Sequence, residues 1–198
     1  MHEFCVSFPQ AGKIDKQPYI IAFHRRICFA STMTIEQDII RFVNEPWLHC
    51  MVLLGWTALL AFFFAKLEIH IEGKAGWAAN LPTWRIDKHP LLDVFWGGRA
   101  LTGYHVWAFS FIILVFHLPL FLFGIFSLRH IARIFGCIMF FWVLEDFLWF
   151  VMNTAYGIKK FRSKHIEWHK HWFLGLPVDY WAFSVISALF LWYSFSSP

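Results

Sequence analysis

Residues 131–157 read IARIFGCIMFFWVLEDFLWFVMNTAYG, an apolar run long enough to cross a membrane that carries two adjacent acids, Glu145 and Asp146. A membrane-spanning helix needs about 20 mostly apolar residues. An ionisable side chain at the centre of such a helix costs about 2.5–3.5 kcal/mol on insertion scales. Two interpretations therefore stay open. The acids bond to Arg, Lys or Trp of neighbouring helices and serve assembly, or they form a metal-binding or proton-handling site.

The composition of the whole chain is that of an integral membrane protein. Its 198 residues are 59% hydrophobic and 15% charged, whereas soluble domains have about 25% charged residues. The formal net charge of +4 is modest, and the basic residues do not cluster in exposed polar sequence, so we predict no nucleic-acid partner. They fit a surface that faces membrane lipids. The four cysteines are scattered without a CxxC pair, which indicates neither a disulfide framework nor a thiolate metal site.

Four apolar segments predict an all-α fold with four transmembrane helices. The predicted helices cover approximately residues 46–67, 101–126, 131–152 and 178–193. The second and third are joined by the short polar turn SLRH, so they should form an antiparallel hairpin. All four helices belong to one predicted transmembrane domain, residues 46–198.

Residues 1–45 are predicted to form an N-terminal tail and a segment that precedes the membrane. Met33 opens a cleaner stretch, MTIEQDIIRFVNEPW, and is a candidate for the natural start of the protein. Otherwise residues 1–32 are expected to be a poorly ordered tail.

Two longer connections, residues 68–100 and 154–177, mix tryptophan with histidine, acidic and basic residues. Tryptophan is favoured at the membrane interface, so we expect interfacial helices or re-entrant segments here. With four crossings, the two connections lie on the same side of the membrane. Ten Lys and Arg residues in and beside them, against five on the other side, predict a cytoplasmic location.

This topology brings acids and histidines of distant segments to one face of the membrane. Glu72 ends the first predicted helix, and His105 opens the second. Glu145 and Asp146 lie about 10 Å before the end of the third helix, where Asn153 follows. The predicted catalytic residues are Glu145, Asp146, Asn153 and Glu72.

The histidines of the two connections predict a metal site on the same face. The stretch KHPLLD has His89 and Asp93 four residues apart, and KHIEWHKHW has His165 and His169 four apart, with His171 following. On a helix, each pair would share one face and could hold one ion. Imidazole and carboxylate ligands suit zinc, non-haem iron or manganese. The predicted cofactor is therefore a divalent metal, iron or zinc.

Two residues near the start of the second helix, Arg99 and His105, are further predicted to bind the cofactor. Arg99 could equally bind a lipid phosphate or pair with Asp146. Deeper in the same helix, His117 precedes Pro119. Its ring could bond the carbonyl groups that the proline leaves free, or it could ligate a haem.

A four-helix plan with histidines on one cytoplasmic face is similar to that of the membrane-bound di-iron hydroxylases and desaturases. Those enzymes carry several boxes of the HxxxH and HxxHH kind. Here His165, His169 and His171 approach one such box, and the HxxHH form is absent. The resemblance covers this connection and assigns no family.

The leading hypothesis is a metal-dependent membrane enzyme, of oxidoreductase or hydrolase type, acting on a lipid or other apolar substrate at the cytoplasmic face. A second hypothesis is a metal-free isomerase or cyclase, in which buried acids protonate an alkene and aromatic rings stabilise the cation. A proton or ion pathway and a haem-binding carrier remain alternatives. The expected partners are membrane lipids, the apolar substrate and a second copy in a homodimer, because four helices are few for a closed pocket.

Overall fold

The computed structural model describes residues 4–10, 23–29, 45–95 and 97–196. At residues 4–10, 23–29 and 93–95 it describes the backbone alone. The chain divides into two compact units, Met1–Glu45 and Pro46–Pro198.

The N-terminal unit contains a two-stranded antiparallel sheet. Strand β1 (Phe4–Gln10) pairs with β2 (Phe23–Phe29), and Cys5 lies opposite Cys28. Both strands are rich in aromatic and β-branched residues, which favour extended backbone. The sheet lies within the segment that is predicted to be an N-terminal tail, and the suggested start at Met33 lies outside the described residues.

Four helices of the second unit are long and apolar enough to cross a membrane, which confirms the predicted all-α membrane fold. In chain order the helices are α1 (Pro46–Glu72), the short α2 (Pro90–Phe95), α3 (Gly103–Phe123), α4 (Leu128–Met152) and α5 (Val178–Phe195). The largest difference from the prediction is at the end of α1, which continues to Glu72. This last turn persists because Glu68 and Glu72 are both buried.

The two long connections consist of turns and short hairpins rather than long helices. Strand β3 (Arg85–Ile86) pairs with β4 (Leu101–Thr102), and β5 (Trp172–Phe173) pairs with β6 (Leu176–Pro177). The β5–β6 turn is Leu174–Gly175, and both residues have positive φ, as tight two-residue hairpins require.

Helix α4 is the central helix of the bundle. It packs extensively against α1 and α5 and more lightly against α3. The buried face of α1 begins with three fully buried small residues, Thr57, Ala61 and Ala65, which allow the aromatic residues of α4 to approach closely. Glu68 and Glu72 continue the same face at helical spacing, so the packing that joins α1 to α4 also buries two carboxyl groups.

Helices α4 and α5 approach each other most closely at Gly136. The Ser187 hydroxyl donates to the Gly136 carbonyl at 2.8 Å. A Cβ atom at Gly136 would lie 2.8 Å from Leu191 Cγ and 3.2 Å from the Ser187 carbonyl oxygen. There is no room for a larger side chain unless the helices separate.

Replacing Gly136 with valine is therefore expected to lower the free energy of unfolding by about 2 kcal/mol, the usual cost of overpacking. Equilibrium unfolding in mixed micelles of SDS and mild detergent, followed by tryptophan fluorescence, measures it. Gly55→Val is the matched control, since nothing lies within 4 Å of a Cβ at Gly55. Equal decreases in the free energy of unfolding of the two variants would contradict the close approach of α4 and α5.

Candidate functional site

A cavity of about 320 Å³ lies at the end of the bundle where α1 ends and α3 and α5 begin. Its volume is at the lower end of the range for small-molecule sites. The acidic residues that line it are Glu68, Glu72, Glu145, Asp146 and Asp179. The aromatic ones are Trp77, Phe109, Trp142, Trp149, Trp168, Tyr180 and Phe183. The cavity therefore combines a large aromatic surface with an unusual density of carboxyl groups.

Asp146 is held by two donors from other segments. Its Oδ2 accepts a hydrogen bond from the Tyr180 hydroxyl at 2.5 Å and another from His169 Nε2 at 2.9 Å. On the far side of the imidazole, His169 Nδ1 lies 3.5 Å from Asp179 Oδ1. The His169 side chain is only 1% exposed and bridges two carboxylates. Hydrogen bonds of this kind favour the ionised form of a carboxyl group.

Arg99 pairs with Asp179, and not with Asp146 as its position in the sequence suggested. Its guanidinium donates to Asp179 Oδ2 and lies over the Trp77 ring at 5.1 Å from the centroid. Burial lowers the pKa of Arg99, and nearby Asp146 opposes this shift. Arginine remains a cation under such a shift because its ordinary pKa is so high. Arg99 thus ties the first connection to the start of α5.

His105 and Glu72 form a second polar group in the lining of the cavity. Glu72 Oε1 accepts from the backbone N–H of Ala78 at 2.6 Å and lies 3.6 Å from His105 Nε2. The other ring nitrogen of His105 is 2.7 Å from Thr102 Oγ1. The ring itself stacks on Trp77 with the centroids 4.1 Å apart. These contacts hold His105 in one orientation at the cavity wall.

Glu145 is the acid with the fewest partners. It is 4% exposed, and no described residue donates a hydrogen bond to its Oε1. Its carboxyl group lies within hydrogen-bonding reach of that of Glu68, which also accepts from the Tyr104 hydroxyl at 3.1 Å. Two carboxyl groups in contact repel unless one proton lies between them. A proton shared by the two carboxyl groups would remove this repulsion.

Unpaired polar atoms concentrate in this cavity. Six buried side-chain nitrogen or oxygen atoms have no partner within the described part of the chain, and five belong to cavity-lining residues. The five are Arg99 Nε, Trp142 Nε1, Glu145 Oε1, Trp149 Nε1 and His169 Nδ1. Buried polar atoms are nearly always hydrogen-bonded in native proteins. Their concentration here indicates that a bound molecule or water completes the site.

Asn153, which was predicted to be catalytic, is not among the cavity-lining residues. Its Nδ2 donates to the Gly73 carbonyl at 2.8 Å, and its Oδ1 accepts from the backbone N–H of Ala155 at 3.0 Å. The Nδ2 atom therefore joins the end of α4 to the end of α1, and the Oδ1 atom stabilises the turn that follows α4. These two contacts give Asn153 a structural role at the end of α4.

Replacing Asn153 with alanine is expected to lower the free energy of unfolding by about 2 kcal/mol, because two partly buried backbone groups lose their partner. SDS titration of the purified variant measures this loss. The exposed Lys164→Ala variant serves as the control and should unfold as the parent protein does. Parental stability in Asn153→Ala would contradict the structural role.

Of the two pairs predicted to hold a metal, only His89 and Asp93 border or belong to a helix. His89 precedes α2, and its Nδ1 accepts from the backbone N–H of Leu91 at 3.2 Å. The segment with His165, His169 and His171 has no helical backbone. The premise that His165 and His169 share a helix face was therefore wrong.

Burial also separates these histidines from one another. His169 is buried and bonded to Asp146, whereas His165 is exposed and His171 is exposed at the rim of the cavity. Among the residues that the structure describes, no group of three or more His, Cys, Asp and Glu could hold a metal ion. The side chain of Asp93 lies outside that description. The geometry thus gives no support to an iron or zinc cofactor.

His117 does not relieve the break that Pro119 makes in α3. A proline leaves the carbonyl four residues before it without its helical donor, and this carbonyl belongs to Val115. The Nδ1 atom of His117 instead lies 2.7 Å from the Ile113 carbonyl oxygen. His117 therefore bonds a carbonyl two residues before the one that Pro119 leaves free.

Four polar residues of the site were not selected from the sequence: Glu68, Tyr104, Asp179 and Tyr180. Glu68 could have been found, since it lies four residues before Glu72 and therefore on the same helix face. The tyrosines carry no such signal, because only the packing of α3 and α5 brings their hydroxyl groups to the acids.

No family model matches the chain, and neither the curated proteins nor the solved structures yield a significant match. A function for this fold must be argued from the chemistry of the site.

Proposed function

We propose that the chain is an integral membrane acid–base enzyme of the isomerase or cyclase class, acting on a carbon–carbon double bond of an apolar substrate. The observation that carries the proposal is the Glu68–Glu145 pair. Its two carboxyl groups line a cavity that is rich in tryptophan, and one oxygen of Glu145 has no donor among the described residues. A neutral carboxylic acid in apolar surroundings is a good proton donor to a weakly basic substrate.

The reaction balances without oxidant or reductant. The proton of the Glu68–Glu145 pair forms a new C–H bond at one alkene carbon and leaves a cation on its neighbour. The tryptophan faces stabilise that cation. Asp146 then removes a proton from an adjacent carbon, and the electron pair of that C–H bond forms the shifted double bond. In a cyclase, a second double bond of the same substrate attacks the cation before this deprotonation.

Asp146 suits the role of base because its surroundings differ from those of Glu145. The hydrogen bonds from Tyr180 and His169 hold its carboxylate in place. Once Asp146 has taken a proton, His169 can pass one on toward Asp179, which is partly exposed. The two neighbouring acids of α4 thus receive opposite roles from their different partners, the arrangement expected for an acid–base pair.

The lining supports this reaction better than it supports metal chemistry. The acids at the cavity are bonded to one another, to tyrosines and to His169 rather than arranged around a common centre. Apolar walls also match a substrate that comes from the bilayer.

Deuterium labelling tests the proposal for any substrate that a lipid extract contains. The purified protein is placed in liposomes prepared from a total apolar lipid extract and incubated in D₂O. Because carboxyl protons exchange with solvent, turnover places deuterium on carbon, where it survives back-exchange into H₂O and is detected by mass spectrometry. We expect labelling of at least one apolar lipid, unaffected by EDTA.

Two results would contradict the acid–base proposal. Absence of carbon-bound deuterium in every lipid fraction would exclude proton transfer to a component of the extract. Labelling that stops with EDTA and returns with added iron or zinc would instead favour the metal-dependent enzyme.

A further inference from the structure

The cavity contains more acid than the described residues neutralise. Five carboxyl groups line it against one arginine and one lysine, Arg99 and Lys170, and Arg99 pairs with Asp179. Within the described chain, no arginine forms an ion pair with Glu68, Glu145 or Asp146. The Glu68–Glu145 pair keeps one negative charge when it shares one proton. The cavity should therefore attract a cation, since buried charges are normally paired.

Aromatic rings add to this preference for positive charge. Trp77, Trp142, Trp149 and Trp168 line the same cavity as the acids. The face of an indole ring carries partial negative charge and attracts ammonium groups, most strongly where water is excluded. A carboxylate surrounded by tryptophan rings is a favourable environment for an alkylammonium group.

The shape of the bundle allows an amphiphile to reach this site from the bilayer. Helices α3 and α5 both pack against α4 but hardly contact each other. Phe109 of α3 and Ala182 and Phe183 of α5 line the cavity. Ala182 is also exposed on the surface that faces lipid. The cavity thus adjoins the apolar surface between these two helices.

We propose that this cavity binds lipophilic amines. The ammonium group lies beside the Glu68–Glu145 pair and donates to the unpaired Oε1 of Glu145, and the hydrocarbon chain extends between α3 and α5. The amine site lies in the same cavity as the proposed active site, and one expectation, inhibition by the amine, rests on the proposed function. A bound ammonium group has the charge of the cation formed in the proposed reaction, so it should also inhibit turnover.

Equilibrium binding to the full chain in lipid nanodiscs tests the proposal. The probe is N,N-dimethyldodecylamine, and N,N-dimethyldodecanamide is the neutral probe of similar size. Binding is followed by tryptophan fluorescence, with empty nanodiscs as background. We expect the amine to bind at least about 10-fold more tightly than the amide. Dodecyltrimethylammonium, which has no N–H to donate to Glu145, should fall between them.

The double variant Glu68→Gln/Glu145→Gln removes the charge and keeps the shape of the pair. It should lose the preference for the amine and bind the amide as before. Unchanged binding of the amide also shows that the cavity is folded. Glu167→Gln, at an exposed position, is the matched control and should keep the preference. If the double variant does not fold, Glu68→Gln and Glu145→Gln are measured singly, and each should reduce the preference at least about threefold.

Equal affinity for amine and amide in the parent protein would overturn the proposal. So would a preference for the amine that survives in a folded double variant, or in both single variants. Because binding does not require turnover, the two proposals can fail separately. Selective amine binding without deuterium labelling would contradict the proposed enzyme activity and leave the amine site standing. Labelling without amine selectivity would contradict the amine site and leave the enzyme activity standing.

Discussion

Replacing Glu145 with glutamine is expected to reduce deuterium labelling about 100-fold or more, the usual contribution of a general acid, without destabilising the protein. The unpaired Oε1 of Glu145 means that the native carboxyl group adds little to stability. Glutamine has nearly the same volume, and its amide can donate to Glu68. The free energy of unfolding should therefore stay the same or rise. Labelling by mass spectrometry and SDS titration measure the two quantities.

The control for Glu145→Gln is Glu167→Gln, because Glu167 is an exposed acid of the second long connection. This variant should retain both labelling and stability. Labelling at the parental level in Glu145→Gln would exclude Glu145 as the proton donor. A decrease of several kcal/mol in the free energy of unfolding of Glu145→Gln would show instead that the acid holds the helices together.

Replacing His169 with alanine is expected to lower the free energy of unfolding by about 3–5 kcal/mol. The imidazole fills a buried space between Asp146 and Asp179 and makes ring contacts with Phe150 and Tyr180. Its removal leaves two carboxylates without their shared partner and a void between them. Unfolding by SDS, followed by tryptophan fluorescence, measures the loss.

His165→Ala is the matched control, since His165 belongs to the same HxxxH pattern but is exposed. Its effect on the free energy of unfolding should remain within about 0.5 kcal/mol. A metal site built on both histidines predicts a different outcome, in which each variant loses bound iron or zinc. Mass spectrometry of the purified proteins distinguishes the two. Stoichiometric metal lost from both variants would restore the metal-dependent hypothesis.

The sequence alone determined the four membrane helices and the fact that their acids meet at one end of the bundle. Insertion into a bilayer depends on the summed transfer free energy of about 20 consecutive residues, and such a local sum can be calculated without any contact. The alternation of four crossings then brought Glu72, His105, Glu145 and Asp146 to one end of the bundle, and all four line the same cavity. Arg99 joins them there for the same reason.

The roles of these residues were decided by the tertiary structure. Two side chains that are four residues apart lie on one face only if the backbone between them is helical. The connection that carries His165 and His169 is not helical. The sequence likewise could not distinguish Glu145 from Asp146, because their partners come from other segments. Asp146 contacts His169 and Tyr180, whereas Glu145 contacts Glu68. The protonation of a buried acid depends on such neighbours and on exclusion of water, and only the packed bundle supplies both.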